Sequence, residues 1–394
     1  MAHIRLFLTF LHLAIVRALT LPTPTGPFSV ALFTTALTDV ARMDPYAPAD
    51  TPQRRRAMIS VFTPVDTTKY QCVNHSLPYM TTPVAKDYDL LATSGGLPDG
   101  TFTSLTMQLC NVTEYKTCSK SRKSQRGIPK VLRPLLLFSP GFGQSRLVYN
   151  AMAQSLASEG HIVVSIDHPY DASVVEFPDG SLVKAANISS DDIAALEALV
   201  QVRAADVSFV IDQLQSLPSL RKAVQSSGCD IDFARTVMYG HSLGGATAAA
   251  AMLSDPRIYG GANLDGRFFN PVEETGLTRP FINVGRPNHR KEDPTWDTFY
   301  QNTQGPMIEI SVNGTLHGSF TDFPLIVSTL NITDITIIEG LQEFLGTTPW
   351  MRVGDIVKSL IMAFDDFVFN HTKSALLQGV DSKFPEVELV RGHF

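Results

Sequence analysis

Charge is scarce in this sequence. Asp, Glu, Lys and Arg make up 18% of its 394 residues, below the roughly 25% usual for soluble domains. The balance is acidic, with a net charge of −6, so the basic excess that marks a nucleic-acid partner is missing. Solubility is a sufficient reason for that charge. The one basic stretch, residues 120–130 ("KSRKSQRGIPK"), has no interleaved aromatic side chains and reads as a solvated loop. Cysteine is equally sparse, at four residues: Cys72, Cys110, Cys118 and Cys229. No Cys-x-x-Cys pair occurs, which leaves zinc and thioredoxin-type readings without support. No apolar run approaches the ~20 residues that span a bilayer, and there is no internal repeat.

What is present begins with an N-terminal segment that is not part of the fold. Residues 1–18 place basic side chains before an apolar run over 6–16 and end on the small residue Ala18. That pattern predicts a cleaved secretory signal peptide, with a retained anchor as the alternative. Six Asn-x-Ser/Thr acceptors, at Asn74, Asn111, Asn187, Asn313, Asn331 and Asn370, support export and glycosylation. An even cysteine count in an exported chain points to disulfides. Four cysteines allow three pairings, and Cys72 with Cys110 is the one we favour. The chain is therefore expected to be secreted and extracellular.

With 44% hydrophobic residues there is ample material for a large core. The segment over 28–64 reads as antiparallel strands at a sheet edge. Residues 65–130 carry three cysteines, two acceptors and many turn formers, and predict a disulfide-tied, loop-rich insertion. From 131 the pattern alternates. Continuous apolar runs such as "VLRPLLLFSPG", "HIVVSIDHP" and "RTVMYG" suit strands buried on both faces. Helical spacing follows each, as in "SSDDIAALEALVQVRAADVSFVIDQLQSL". Shorter strands are expected at "YGGANLD", "PFINVG" and "PMIEISV", a helix near "PTWDTFYQ", and a last helix at "RVGDIVKSLIMAFDDFVFNH". Strand alternating with helix predicts a single α/β domain over 19–394, with a mostly parallel central sheet and helices on both faces.

The segment "RTVMYGHSLGGATAAAAM" sets Gly240, Ser242 and Gly244 as G-x-S-x-G between an expected strand and an expected helix. In that context the motif reads as a nucleophile elbow, with Ser242 exposed on a sharp turn. A serine hydroxyl needs a base, and the base needs an orienting group. On this architecture both should follow in the order Ser, Asp or Glu, His. His317, just past the last buried strand, is the chosen base over His289, His371 and His393. His289 lies in the polar "RPNHRKED" loop and is expected to face solvent. Asp265, at the end of "GGANLD", is the chosen acid over Asp293, Asp297 and Asp322. Asp322 reads as a helix cap. An oxyanion hole needs two backbone donors. Leu243 supplies one, and Phe142 in the loop "FSPGFGQSR" supplies the other. The Phe142 ring either lines an acyl pocket or joins the core. His241 is read as a variable elbow position. His168 and Tyr170 are expected to serve packing and turns. No metal or organic cofactor is implied.

Taken together, "GPFSVA", "FSPGFGQSR", "GHSLGGAT", "NLDGRFF" and "HGSFTDF" resemble the platelet-activating factor acetylhydrolase family of α/β-hydrolases, in its secreted fungal form. Carried over by position, the family's triad falls on Ser242, Asp265 and His317, and its oxyanion donors on Phe142 and Leu243. The resemblance implies hydrolysis of short or oxidised acyl esters of phospholipids without calcium. The expected partner is a small-molecule or lipid ester, with transient contact to a lipid surface. Pro140 stands where animal members carry histidine. A sister group with a similar elbow cleaves cutin and polyesters, so a broader carboxylesterase is the alternative. A non-catalytic binding protein on the same fold is the distant one.

Overall fold

The computed structural model describes residues 19–115 and 131–394. The expected signal segment, Cys118 and the whole basic stretch over 120–130 lie outside the described residues. A short strand β1 (Leu19–Thr20) leads into two long strands, β2 (Ser29–Met43) and β3 (Arg54–Val65). Then come β4 (Tyr70–Pro78), helix α1 (Thr82–Ser94), the single turn α2 (Thr101–Ser104) and β5 (Leu105–Tyr115). The alternating part runs β6 (Val131–Ser139), α3 (Asn150–Ser158), β7 (Ile162–Asp167), a hairpin of β8 (Val174–Glu176) and β9 (Leu182–Lys184), α4 (Ile193–Ser216) and α5 (Pro218–Gln225). It continues through β10 (Cys229–His241), α6 (Leu243–Ser254), β11 (Gly260–Leu264), α7 (Val272–Thr275) and β12 (Phe281–Gly285). The last part holds α8 (His289–Glu292), α9 (Thr295–Asn302), β13 (Met307–Val312), α10 (Phe323–Leu330), α11 (Ile335–Leu345), α12 (Trp350–Asn370) and β14 (Val387–His393).

Nine strands form one sheet in the order β14-β13-β12-β11-β10-β6-β7-β3-β2. The six from β13 to β7 are mutually parallel, and antiparallel strands close both edges. Successive strand residues point to opposite faces, and here each face meets its own core. Leu136, Phe138, Val163, Val237 and Tyr239 pack on the side of α3 and α12. Leu135, Leu137, Ile162, Val164 and Met238 pack on the side of α4 and α6. That is why these strands read as unbroken apolar runs rather than alternating ones. The α/β-hydrolase fold with a mostly parallel central sheet is borne out. Helix α4 starts as its capping residues indicated, with the Asp192 carboxylate accepting from Ala195 N–H at 3.0 Å.

Two expectations need correction. Within the described residues, the segment after 65 is not loop-rich. β4 pairs antiparallel with β5 along its length, β1 adds a third strand, and α1 with the α2 turn connects β4 to β5. The signal was an alternation in β5: Leu105, Met107 and Leu109 are buried and the residues between them are not. Turn formers and glycosylation acceptors masked it. The Cys72–Cys110 disulfide joins these two strands, with Cα atoms 5.3 Å apart, while Cys229 is free and buried. Asp322 does stand at the start of α10, but its side chain does not cap that helix. Its carboxylate accepts instead from Ala151 N–H (2.6 Å), Met152 N–H (3.0 Å) and the Tyr79 hydroxyl (2.7 Å), and so caps α3.

Leu137 is fully buried in the centre of β6. Truncating it leaves a cavity between the sheet and α4, so Leu137→Ala should lower the unfolding free energy by about 2–5 kcal/mol. Urea titration of the purified variant, with an unchanged slope and a lower midpoint, checks this.

Candidate active site

Register along the parallel strands sets the site. Gly240 on β10 lies opposite Ser139 on β6 and Asn263 on β11, so the three strands finish level. Directly beyond, Ser242 has φ 55° and ψ −123°, a region that L-residues rarely occupy and hold only under constraint. The constraint is local crowding. A Cβ on Gly240 would stand 2.1 Å from the Gly244 carbonyl oxygen, and one on Gly244 would stand 1.9 Å from that of Ser139. Only glycine at these two positions lets the chain reverse this tightly. Ser242 N–H donates to Leu264 O at 2.8 Å, which ties the elbow to the strand ending in Asp265. Leu243 opens α6, where backbone N–H groups have no carbonyl partners within the helix and the helix dipole is positive.

Asp265 is buried and follows directly on β11. His317 Nδ1 lies 2.7 Å from its Oδ2. Arg286 donates to the same carboxylate twice, from its backbone N–H to Oδ1 at 2.9 Å and from Nη1 to Oδ2 at 3.1 Å. Burial by itself pushes the carboxyl pKa up, but hydrogen bonds from His289 and His317 outweigh it and hold the group well below the usual carboxylate range. An ionised Asp265 makes His317 Nδ1 the protonated nitrogen, which leaves Nε2 as an acceptor. The His317 side chain is 47% exposed, and its ring centroid lies 4.6 Å from that of His241, the neighbour of Ser242. The elbow, Asp265 and His317 thus meet at one edge of the sheet.

His289 does not face solvent, contrary to the expectation from its polar loop. It is buried, with Nδ1 2.8 Å from Asp265 Oδ1 and the ring tilted against that of Trp296 at 4.2 Å. Arg286 and His289 turn inward to Asp265 while Lys291 and Glu292 stay exposed, a split that a reading of local polarity could not detect. Burial disfavours its charged form, yet the bonds to Asp265 and Asp293 prevail and raise its pKa above the ordinary value. The acid at this site therefore serves two histidines.

The loop carrying Phe142 is pinned from below. Arg203, fully buried on α4, donates to the carbonyls of Pro140 (2.6 Å) and Gly141 (3.2 Å) and pairs with Asp171. Asp171 accepts from Gly143 N–H at 3.1 Å. His241 is more than a variable position. The Tyr149 hydroxyl accepts from Gly141 N–H (3.2 Å) and donates to His241 Nδ1 (2.8 Å), and His241 Nε2–H donates to the His317 carbonyl (3.0 Å). Burial, followed by the charge of His317, pushes the His241 pKa down to about 3 and keeps it neutral. One side chain thus links the elbow, the Phe142 loop and the His317 turn. The Phe142 ring packs against the core face shared with α4 and α6. His168, held between Ser139 Oγ (3.0 Å) and Asp206 (2.9 Å), and Tyr170, bonded to Gln53, serve packing as expected. Among the described residues no group of three or more His, Cys, Asp or Glu side chains is arranged to hold a metal ion.

Comparison with known proteins adds to this geometry. The profile of the family described as "Platelet-activating factor acetylhydrolase, isoform II" matches residues 100–181 and 182–343. A "Probable 1-alkyl-2-acetylglycerophosphocholine esterase" of Arthroderma benhamiae is 30% identical over 382 residues, covering 93% of this chain and 92% of that protein. The platelet-activating factor acetylhydrolase of Cavia porcellus is 26% identical over 212 residues, or 48% of each chain. Among solved structures, a ferulic acid esterase from Streptomyces cinnamoneus superposes with a TM-score of 0.73 at 27% identity, over 95% of this chain and 100% of that one.

The His289–Asp265 pair gives a testable pH signature. A histidine whose folded pKa is raised stabilises the fold fully below its unfolded value, near 6.5, and loses that contribution as pH rises through the folded value. The difference in melting temperature between the protein and His289→Gln should therefore be largest near pH 6 and shrink toward pH 9. A difference that stays constant or grows with pH contradicts this.

Proposed function

Because the chain belongs to the platelet-activating factor acetylhydrolase family, we propose that this carboxylic-ester hydrolase uses Ser242 as its nucleophile on phospholipids bearing a short or oxidised acyl chain. The single observation that carries the assignment is the 2.7 Å contact between Asp265 and His317 beside a serine held at positive φ. Ser242 Oγ attacks the ester carbonyl as His317 Nε2 takes its proton. Asp265 fixes the tautomer and stabilises the imidazolium that forms. The N–H groups of Phe142 and Leu243 receive the developing oxyanion, where each donor is worth about 3 kcal/mol. His317 then returns its proton to the leaving alcohol, and water releases the acyl group by the same steps in reverse order. A second reading, a broader carboxylesterase, draws on the likeness to the ferulic acid esterase over nearly the whole chain.

We also propose that the protein is exported and glycosylated. The apolar N-terminal run supports this, as do six acceptor asparagines that are all exposed and a disulfide between β4 and β5. N-terminal sequencing of protein recovered from culture medium should begin after Ala18, and glycosidase treatment should lower its mass. A product retained in the cell with residue 1 intact contradicts the proposal.

Acid release from phosphatidylcholines with middle-position chains of increasing length, in the presence of a chelator, tests the reaction. Ser242→Ala should lose at least about 10⁴-fold in kcat, and Asp265→Asn about 10⁴-fold. Rapid release limited to short chains supports the phospholipid reading. Hydrolysis of simple esters alone moves the substrate to the broader reading, and an active Ser242→Ala variant removes the nucleophile assignment.

A further inference from the structure

A cavity of about 240 Å³, open on one side, is lined by α1, the α2 turn, α10 and α11. Leu91, Phe102, Phe323, Ile326, Leu341 and Phe344 supply its walls. Ser94 is the one lining side chain with a hydroxyl, and that hydroxyl donates to Leu91 O within its own helix. A ligand entering this space meets mostly hydrocarbon. The space is ample, since an apolar cavity of about 150 Å³ already binds benzene. Leu91 and Phe344 are about half exposed, so the cavity has an open mouth.

Its position decides what it is for. On one wall, a Cβ on Gly318 would stand 2.6 Å from the Phe344 ring, so the cavity abuts the turn that carries His317. On the other wall, Phe102 and Phe323 pack on Tyr88 at 5.4 and 6.2 Å. The Tyr88 hydroxyl accepts from Ser145 N–H and bonds Gln144 Oε1, both at 2.9 Å, in the loop that carries Phe142. An apolar space whose wall packs on the His317 turn through Phe344, and is joined to the Phe142 loop through Tyr88, suits one hydrocarbon arm of the ester. We propose that this cavity binds the hydrocarbon chain on the alcohol side of the substrate, whose acyl chain is short in the reading above, and so sets chain-length preference on that side. The proposal rests on the ester-hydrolase reading above.

Gly340 allows a clean test. It lines the cavity from α11, and a Cβ built on it meets no atom within 4 Å. Gly340→Trp should fill the space, and Gly340→Leu, with a better helix former, does so if the larger ring is not accommodated. Two series of monomeric substrates separate the arms: p-nitrophenyl esters from acetate to octanoate, and alkyl acetates from ethyl to octyl. Each methylene moved from water into such a space favours binding by about fourfold. The wild-type kcat/KM should therefore rise with chain length in the alkyl acetate series, and a rise confined to the p-nitrophenyl series overturns the alcohol-side assignment. In the Gly340 variants the ratio of long-chain to short-chain kcat/KM should fall at least about tenfold, whereas Glu339→Trp, on the exposed face of α11, keeps the wild-type ratio. Identical chain-length profiles for wild type and both Gly340 variants overturn the cavity assignment while leaving ester hydrolysis intact. Failure of the wild type on every ester overturns both.

Discussion

The register of the parallel strands is the constraint on which the rest of the structure depends. Ser139, Gly240, Asn263, Asn283 and Glu309 form one row across five strands, and His241, Leu264, Val284 and Ile310 form the next. One step further along the chain stand Ser242 and Asp265, with Gly285 just before Arg286. A slip of one residue on any of these strands turns its side chains to the opposite face. It would also exchange the two sets of core residues, so packing on both faces holds the site in place. The apolar strands thus do two jobs at once: they stabilise the sheet and they level its edge.

Buried charge is the second organising element. Removing a carboxylate from water is costly unless it is paired and hydrogen-bonded. Asp265 meets that condition with two histidines and an arginine that donates twice. Arg203 meets it with Asp171 and two loop carbonyls. These pairs do not primarily add stability. They set orientation, because each partner is fixed by more than one bond. Asp265 aims His317, Arg203 fixes the Phe142 loop, and neutral His241 ties both to the elbow. The strain at Ser242 persists because all of its surroundings are over-determined in this way.

Much of this was legible in the sequence, for identifiable reasons. Long apolar runs named the strands, and G-x-S-x-G at a strand-to-helix change named the elbow. Asp265 and His317 were found from chain order and from their place at strand ends. What escaped was set by tertiary contact. Asp322 sits where a helix cap belongs, yet it serves a helix more than 160 residues away in sequence, bonding Met152 N–H across 170 positions. His289 lies in a run of charges that suggests solvent, but its partner Asp265 is 24 residues earlier. β5 carried a period-two pattern hidden among turn formers. The apolar cavity has no local signature, since its walls come from helices far apart in the chain.

The most direct test of the account is covalent capture of the nucleophile. A fluorophosphonate ester reacts with an activated serine hydroxyl and leaves a stable adduct, which peptide mass mapping can locate. The account predicts one adduct on the peptide containing Ser242, absent in His317→Ala. An adduct on another residue, or none on folded protein that still hydrolyses esters, would contradict it.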